Sequence, residues 1–298
     1  MSEEKLPLVS VAVITYNQKE FLRECIESIL DQDYSNLQIV IADDGSTDGT
    51  QDMLRDYTLE YPDKFELRLS EKNQGITVNS NEAHFACTGK YIAWIGGDDL
   101  MLPGKISTQV KYMENNPDCT ICYHNLDVFE SETNKNLYYF NSKLKINGNV
   151  QTSTRFGTFN GACSNMVRSS KAPLEGFNLV IPVASDWLYW VESLANGGTI
   201  NYIDQVLGRY RRHQNNITRP NKDISQNDLD RLVSCQVIIA KFPEYFNDAI
   251  YVYSKRLMGL RNKVNYPRAL WRSFCIRPSI KAAGALGLYI VSLGRVKV

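Results

Sequence analysis

Leu37-Gln-Ile-Val-Ile-Ala-Asp-Asp-Gly-Ser-Thr-Asp-Gly-Thr50 is the stretch on which the fold turns. Leu37 to Ala42 is mostly apolar with β-branched side chains, as a strand buried on both faces requires. The eight residues after it favour turns and feed a helix expected around Gln51 to Glu60. Similar units lie on either side. Leu8 to Ile14 reads as a strand. Lys19 to Gln32 follows it, with Phe21, Leu22, Cys25, Ile26, Ile29 and Leu30 forming one helical stripe. Downstream come a strand at Phe65 to Leu69, the turn Asn73-Gln-Gly75, a helix at Ile76 to Cys87 and a strand at Tyr91 to Ile95. Pro103 is expected to open the next helix, a position that suits proline. This alternation predicts an α/β protein with a mostly parallel, Rossmann-like sheet and helices on both faces.

Ligands of such sheets bind beyond the carboxyl ends of the strands. Three polar clusters fall there: Thr15-Tyr16-Asn17, Asp43-Asp44 and Asp98-Asp99. They come from separate strands, yet the topology gathers them at one edge. Two carboxylates at a strand end suit a divalent cation, whose remaining sites can take phosphate oxygens. Gly96 and Gly97 would let a diphosphate approach the backbone closely. In isolation, an acidic turn capping the following helix reads the same way. The segment from Asp43 to Thr50 has two readings as well. It is a turn in which Thr47 or Thr50 caps a helix, or it presents Asp44 to a nucleobase N–H.

After residue 118 the pattern changes. Cys119 to Phe129 reads as a strand, 130–160 gives few strong signals, and Gly161 to Val167 reads as a short strand. A helix is expected over Val183 to Ala195, a strand over Ile200 to Tyr210, and a helix from Asp228 to Lys241. Asn, Pro and Lys cluster near 215–225 and mark a soft boundary. The expected division is a domain over 1–220, its donor half at about 7–118 and acceptor half at about 119–220. A helical, basic region would follow over 221–298.

The 298 residues carry 33 basic and 33 acidic side chains, which argues against a generic nucleic-acid coat and against a nucleic-acid partner. The balance conceals a polarity. Ten of the basic residues lie in 251–298, which holds no acid, so the body is acidic and the tail basic. Seven Cys include one C-x-x-C, Cys119 and Cys122, inside an apolar strand with no second pair to complete a zinc site. They read as ordinary buried thiols. The stretch Met1-Ser-Glu-Glu-Lys-Leu-Pro7 lacks the apolar core of a signal peptide. Ala282 to Gly294 is too short to span a bilayer, which takes ~20 residues.

Taken in order, these segments resemble one family. They are Val9-Ser-Val-Ala-Val-Ile-Thr-Tyr-Asn17, Ile29-Leu-Asp-Gln32, Ile41 to Thr50, Asn73-Gln-Gly75, Gly89-Lys-Tyr-Ile-Ala-Trp-Ile-Gly-Gly-Asp-Asp99 and Leu102-Pro103. Weaker echoes follow in Gly161 to Arg168, Gly176-Phe177, Ser185-Asp-Trp187 and Tyr210-Arg-Arg-His213. The family is the inverting family-2 glycosyltransferases, which have the nucleotide-sugar-binding GT-A fold. Strong similarity covers about 7–115, and weaker similarity extends to about 218.

The resemblance implies a donor site for a nucleoside-diphosphate sugar, by default a UDP-sugar. Tyr16 would flank the base beside Thr15 and Asn17. Asp44 would hydrogen-bond the base, with Asp43 in support. Asp98 would face the ribose or the metal, and Asp99 would bind Mn²⁺ or Mg²⁺. Asp186 matches the family's catalytic base; its other reading is the N-cap of the helix that follows. His213 and Arg211 match a late basic motif that approaches the diphosphate or the metal. Gly96 stands where the family often has the first Asp of its metal motif, and Ser185 where a Glu often precedes the base. Those departures keep open a catalytically degenerate sugar-nucleotide-binding module. A phosphohydrolase with an Asp nucleophile would want a carboxylate two residues before Asp44, where Ala42 stands.

In the tail, Trp271, Phe274, Ile276, Ile280 and Leu286 interleave with Arg268, Arg272, Arg277 and Lys281. That pattern reads as an amphipathic, membrane-surface segment, or as basic helices packed on the acidic body. The first reading suits a glycan or lipid-linked acceptor and a cytoplasmic protein peripheral to the membrane, making bacterial polysaccharide of the capsule or O-antigen type.

Overall fold

The computed structural model describes residues 6–218, 223–263, 265–292, 294, 295 and 297. The boundary expected between 220 and 221 lies outside the described residues. Along the chain run β1 (Val9–Thr15), α1 (Lys19–Leu30), β2 (Leu37–Asp43), α2 (Thr50–Glu60), β3 (Phe65–Leu69), α3 (Ile76–Ala86) and β4 (Tyr91–Gly96). Then come β5 (Leu100–Met101), α4 (Lys105–Asn115), β6 (Cys119–Glu130), β7 (Asn136–Tyr139), α5 (Val150–Phe156), β8 (Met166–Arg168), α6 (Asp186–Ala195) and β9 (Thr199–Arg212). Four helices close the chain: α7 (Gln226–Lys241), α8 (Phe246–Gly259), α9 (Tyr266–Ile276) and α10 (Ile280–Val291).

One mixed sheet has the order β3-β2-β1-β4-β8-β6-β9-β5, with β7 added to β6. The β3-β2-β1-β4 half is parallel, and so is the β6–β9 pair; β8 runs against both of its neighbours. Alternation along the strands sends side chains to two cores. Val9, Val11 and Val13 of β1 join Ile39 and Ile41 of β2 under α1, α2 and α4. Ala12, Val40 and Trp94 face the other layer, with Trp187 and Trp190 of α6, Cys235 and Ile238 of α7, and Ala249 and Val252 of α8. The basic C-terminal region therefore shares a core with the rest of the chain.

Register sets the site. Thr15 is paired with Asp43, and Ile14 with Gly96, so the three strand ends finish side by side. The polar clusters expected to converge do so.

Three local expectations are corrected. The helix after β5 begins at Lys105, not Pro103. Leu102 N–H still donates to Leu207 O at 3.0 Å, so the chain remains extended there. Gly104, at φ +79°, then makes the turn. The segment 161–167 is a one-turn helix, Ala162–Ser164, before the short β8, because Ser164 Oγ and Asn165 Nδ2 both donate to the Gly161 carbonyl. The helix expected from Val183 starts at Asp186: Val183 and Ala184 N–H donate instead to Asp230 Oδ2 at 2.9 and 2.8 Å.

Candidate active site

Both Asp43 and Asp44 are buried at the end of β2. Asp43 takes hydrogen bonds from Ser46 N and Gln51 Nε2, at 2.9 and 2.8 Å, and from the Ser46 hydroxyl. It holds the turn in shape. Asp44 accepts Gln74 N–H at 2.7 Å on one oxygen and Gly75 N–H at 2.9 Å on the other. It thereby pins the loop before α3 and keeps one lone pair on each oxygen. Gly45, at φ +74°, lets the turn pass within reach of the Lys72 backbone, which a Cβ would strike at 2.6 Å. Asn17, at φ +50°, closes the other side: its Oδ1 accepts Thr47 N–H at 2.8 Å and its own N–H donates to Ser46 Oγ at 2.7 Å. Tyr16 is 44% exposed. Thr15 is buried, and its Oγ1 has no hydrogen-bond partner among the described residues. Asn79, which the sequence reading passed over, ties β1 to β2 by donating to Ala42 O and Thr15 O.

The acid pair lies across from this turn. Asp99 is 3% exposed, and its Oδ1 accepts the backbone N–H of Arg211 at 2.9 Å. Burial raises its pKa well above the usual carboxylate range, and the Asp98 charge raises it further; the Arg211 contacts pull the other way. Asp98 Oδ2 meets His213 Nε2 at 2.9 Å and Asn216 Nδ2 at 3.2 Å. His213 thus sits against Asp98 at the acid pair. Asn216 belongs to an Asn-x-Thr pattern that gave no hint of this place; only proximity to His213 in sequence pointed to it.

Arg211 is placed differently from the expectation. Its guanidinium is buried, donates to Asp98 O at 2.7 Å and Glu24 Oε2 at 2.5 Å, and lies over the Phe21 and Phe129 rings. It positions the acid pair from below, since these partners hold it inside the protein. Glu24 and Phe21, on the first helix, carried no motif signal.

Two adjacent carboxylates are hard oxygen donors that suit Mn²⁺ or Mg²⁺ with phosphate and water completing the shell, whereas both ring nitrogens of His213 are engaged, Nδ1 by Asn215 N–H at 3.2 Å and Nε2 by Asp98. Two adjacent acids, one buried, also favour a cation between them. Among the described residues no group of three or more His, Cys, Asp or Glu forms a ready-made cage. Gly96 is part of this geometry. A Cβ there would meet Asp98 Oδ1 at 2.8 Å, so the glycine leaves room for the carboxylate to turn toward the strand end.

Asp186 is the first residue of α6, and Ser185 occupies the N-cap, so the capping reading is one residue out. Ser185 Oγ is instead 2.9 Å from Thr77 Oγ1. The half-buried Asp186 carboxylate accepts the Trp187 N–H at 2.8 Å. Desolvation raises its pKa, while the Trp187 N–H and the Arg231 charge lower it.

The model of the family Glycosyl transferase family 2 matches residues 10–171, more than half of the chain. The chain belongs to glycosyl transferase family 2. Asp186, Arg211 and His213 lie beyond the matched segment. Among curated relatives, the uncharacterized protein Rv1520 of Mycobacterium tuberculosis is 29% identical over 214 residues, 70% of this chain and 60% of that protein. The chain thus spans less than two thirds of that relative's length. Of solved structures, S. aureus TarS 1-349 in complex with UDP-GlcNAc superposes with a TM-score of 0.68 at 14% identity, over 96% of this chain and 88% of that one. The mannosyltransferase PcManGT from Pyrobaculum calidifontis, in complex with GDP-Man and Mn²⁺, gives 0.57 at 18%, over 98% and 81%. At these identities the likeness is one of fold: this family-2 chain has the GT-A architecture, with helices following it at the C-terminal end.

Proposed function

We propose that this chain is an inverting glycosyltransferase that moves a sugar from a nucleoside-diphosphate donor to a hydroxyl of a glycan or lipid-linked glycan. The convergence of three strand ends at one edge carries the reading. The exposed Tyr16, the buried Asp44 and the Asp98–Asp99 pair all follow strands that end side by side. The base would lie against Tyr16 and hydrogen-bond toward Asp44. Asp98 and Asp99 would hold Mn²⁺ or Mg²⁺, with His213 steadying Asp98; when bound, the metal supplies Lewis-acid stabilisation of the leaving diphosphate. The donors of the structural neighbours, UDP-GlcNAc and GDP-Man with Mn²⁺, support this class of donor. A UDP-sugar is the default.

Asp186 would accept the acceptor hydroxyl's proton as that oxygen attacks the anomeric carbon from the face opposite the diphosphate. Its raised pKa suits a base that must hold a proton in the transition state. One displacement inverts the anomeric centre. Among the described residues no helix is long and apolar enough to cross a membrane. Trp271 is 56% exposed between Arg268 and Arg272 on α9, and Ile280 and Val291 of α10 are also exposed. These features support peripheral binding at an anionic, cytoplasmic membrane face, where surface-polysaccharide acceptors are elongated.

The test is the product. With a UDP-sugar, metal and a glycan acceptor, NMR should show the configuration opposite to the donor's, and Asp186→Asn should slow product formation by about 10²–10⁴ while nucleotide binding persists. Retained configuration, or full turnover by Asp186→Asn, would overturn the assignment.

A further inference from the structure

Three of the helices enclose a concave site. It is a cleft of about 360 Å³ among α5, α7 and α8, lined by Arg155, Arg231, Lys255, Arg256 and Lys263 against the single acid Asp228. Its charge is only partly balanced. Arg155 pairs with Asp248 at 2.9 Å and Lys263 with Asp228 at 2.7 Å. The Arg231 Nε is buried with no hydrogen-bond partner among the described residues. Arg256, largely buried, has its pKa pushed down by desolvation and then by the Arg231 charge. Two guanidiniums crowded in a concave site without enough carboxylate to match them call for an anion.

The cleft is also joined to Asp186. Asp230 is buried on α7 and clasps Val183 and Ala184, just before Asp186, through Oδ2, while its Oδ1 takes Gln226 Nε2 at 2.7 Å. The next residue, Arg231, lines the cleft and interacts electrostatically with Asp186. Next to Asp186, Trp187 Nε1 donates to Ser153 O at 3.0 Å on α5, the helix that also carries the cleft residues Arg155 and Phe156. The cleft is thus linked to the proposed base through Arg231.

We propose that this cleft binds a phosphate or phosphodiester group carried by the acceptor, anchoring it so that its hydroxyl reaches Asp186. The assignment of an acceptor rests on the reading of Asp186 as the base; the anion site itself does not. Arg231 and Arg256 offer guanidinium forks suited to phosphate oxygens, and Lys255 adds an exposed charge at the mouth.

Inorganic pyrophosphate serves as the probe, titrated calorimetrically into the full chain in EDTA so that a metal-dependent donor site is silent. Wild type should bind it, and Lys255→Glu and Arg256→Gln should each weaken binding at least tenfold. UDP binding with Mn²⁺, measured separately, should be unchanged in Lys255→Glu. Because Lys255 is exposed, that variant keeps the test valid if Arg256→Gln folds poorly. Vesicles of phosphatidylcholine with phosphatidic acid distinguish the source. If Lys255→Glu loses vesicle binding together with pyrophosphate, the phosphate belongs to a lipid headgroup; if it loses pyrophosphate alone, the phosphate belongs to a soluble acceptor. Wild type that ignores pyrophosphate, or variants that bind it equally well, would overturn the site. Failure of UDP to bind with Mn²⁺ would instead count against the donor reading and leave the pyrophosphate result to stand by itself.

Discussion

Lys105, at the start of α4, is fully buried, with its Nζ donating to Gln109 Oε1 at 2.7 Å. Desolvation pushes its pKa down to about 8. The folded protein therefore bears the cost of a buried charge below pH 8. That cost fades as pH rises toward the free-lysine value of roughly 10.5, because the unfolded chain then binds the extra proton. Lys105→Met should stabilise the protein at pH 7 by on the order of 2–3 kcal/mol, with the gain shrinking by pH 10. Urea denaturation at both values checks this; equal stabilities at pH 7 would contradict it. Asp186 follows the same logic with opposite charge. Its pKa is raised on folding, so its ionised form is penalised at neutral pH and the penalty disappears in acid. Asp186→Asn should lower kcat by about 10²–10⁴. It should also raise the melting midpoint at pH 7, with a smaller rise near pH 4. A variant that is both slower and less stable at pH 7 would point to a structural role.

At the level of elements, the chain places its chemistry by tying loops to helices through single buried acids. Asp230 receives three hydrogen bonds at one end of α7 and fixes the approach to α6. Asp230→Ala should cost about 3 kcal/mol, since bonds to a charged group are worth about 1.5–3 kcal/mol each and not all are lost outright. On the proposed function it should change kcat far more than the donor KM, because the strand edge is held by other residues; steady-state kinetics separate the two. This link was not legible in the sequence, where Asp230 is one polar residue on an amphipathic helix. The strand-helix alternation before residue 118 was legible. Apolar runs punctuated by Asp and Gly give β1 to β4 almost to the residue, and parallel topology brings Thr15, Asp43 and Gly96 into line. What escaped were partners brought in across long separations: Asn79 on two strand ends, Glu24 on Arg211, Asn216 on Asp98. Their side chains follow no local pattern. Asn and Asp also mislead near helix starts, since a side chain that captures backbone N–H groups delays the helix, as Asp230 does before α6.

Across the whole molecule, the acidic body and basic tail are not two separate pieces. Part of the tail's charge turns inward to the cleft between α5, α7 and α8, and part stays outward around Trp271. The outward part supports the membrane reading. Replacing Arg268 and Arg272 by Gln should reduce partition onto anionic vesicles about 25-fold, at ~1 kcal/mol per basic residue, and raised salt should mimic the change. Sedimentation with vesicles reads this directly, and binding that ignores both charge and salt would contradict it. The central claim, however, concerns the strand edge. Thermal unfolding with UDP, GDP, dTDP and CMP, each with Mn²⁺ or EDTA, tests it most directly. One nucleotide at about 100 times its Kd should add about 2.7 kcal/mol, raising the midpoint by several degrees with Mn²⁺ and not in EDTA. Asp99→Asn should erase that difference. A midpoint unmoved by every nucleotide, or moved equally with and without metal, would contradict a metal-assisted donor site at Asp98 and Asp99.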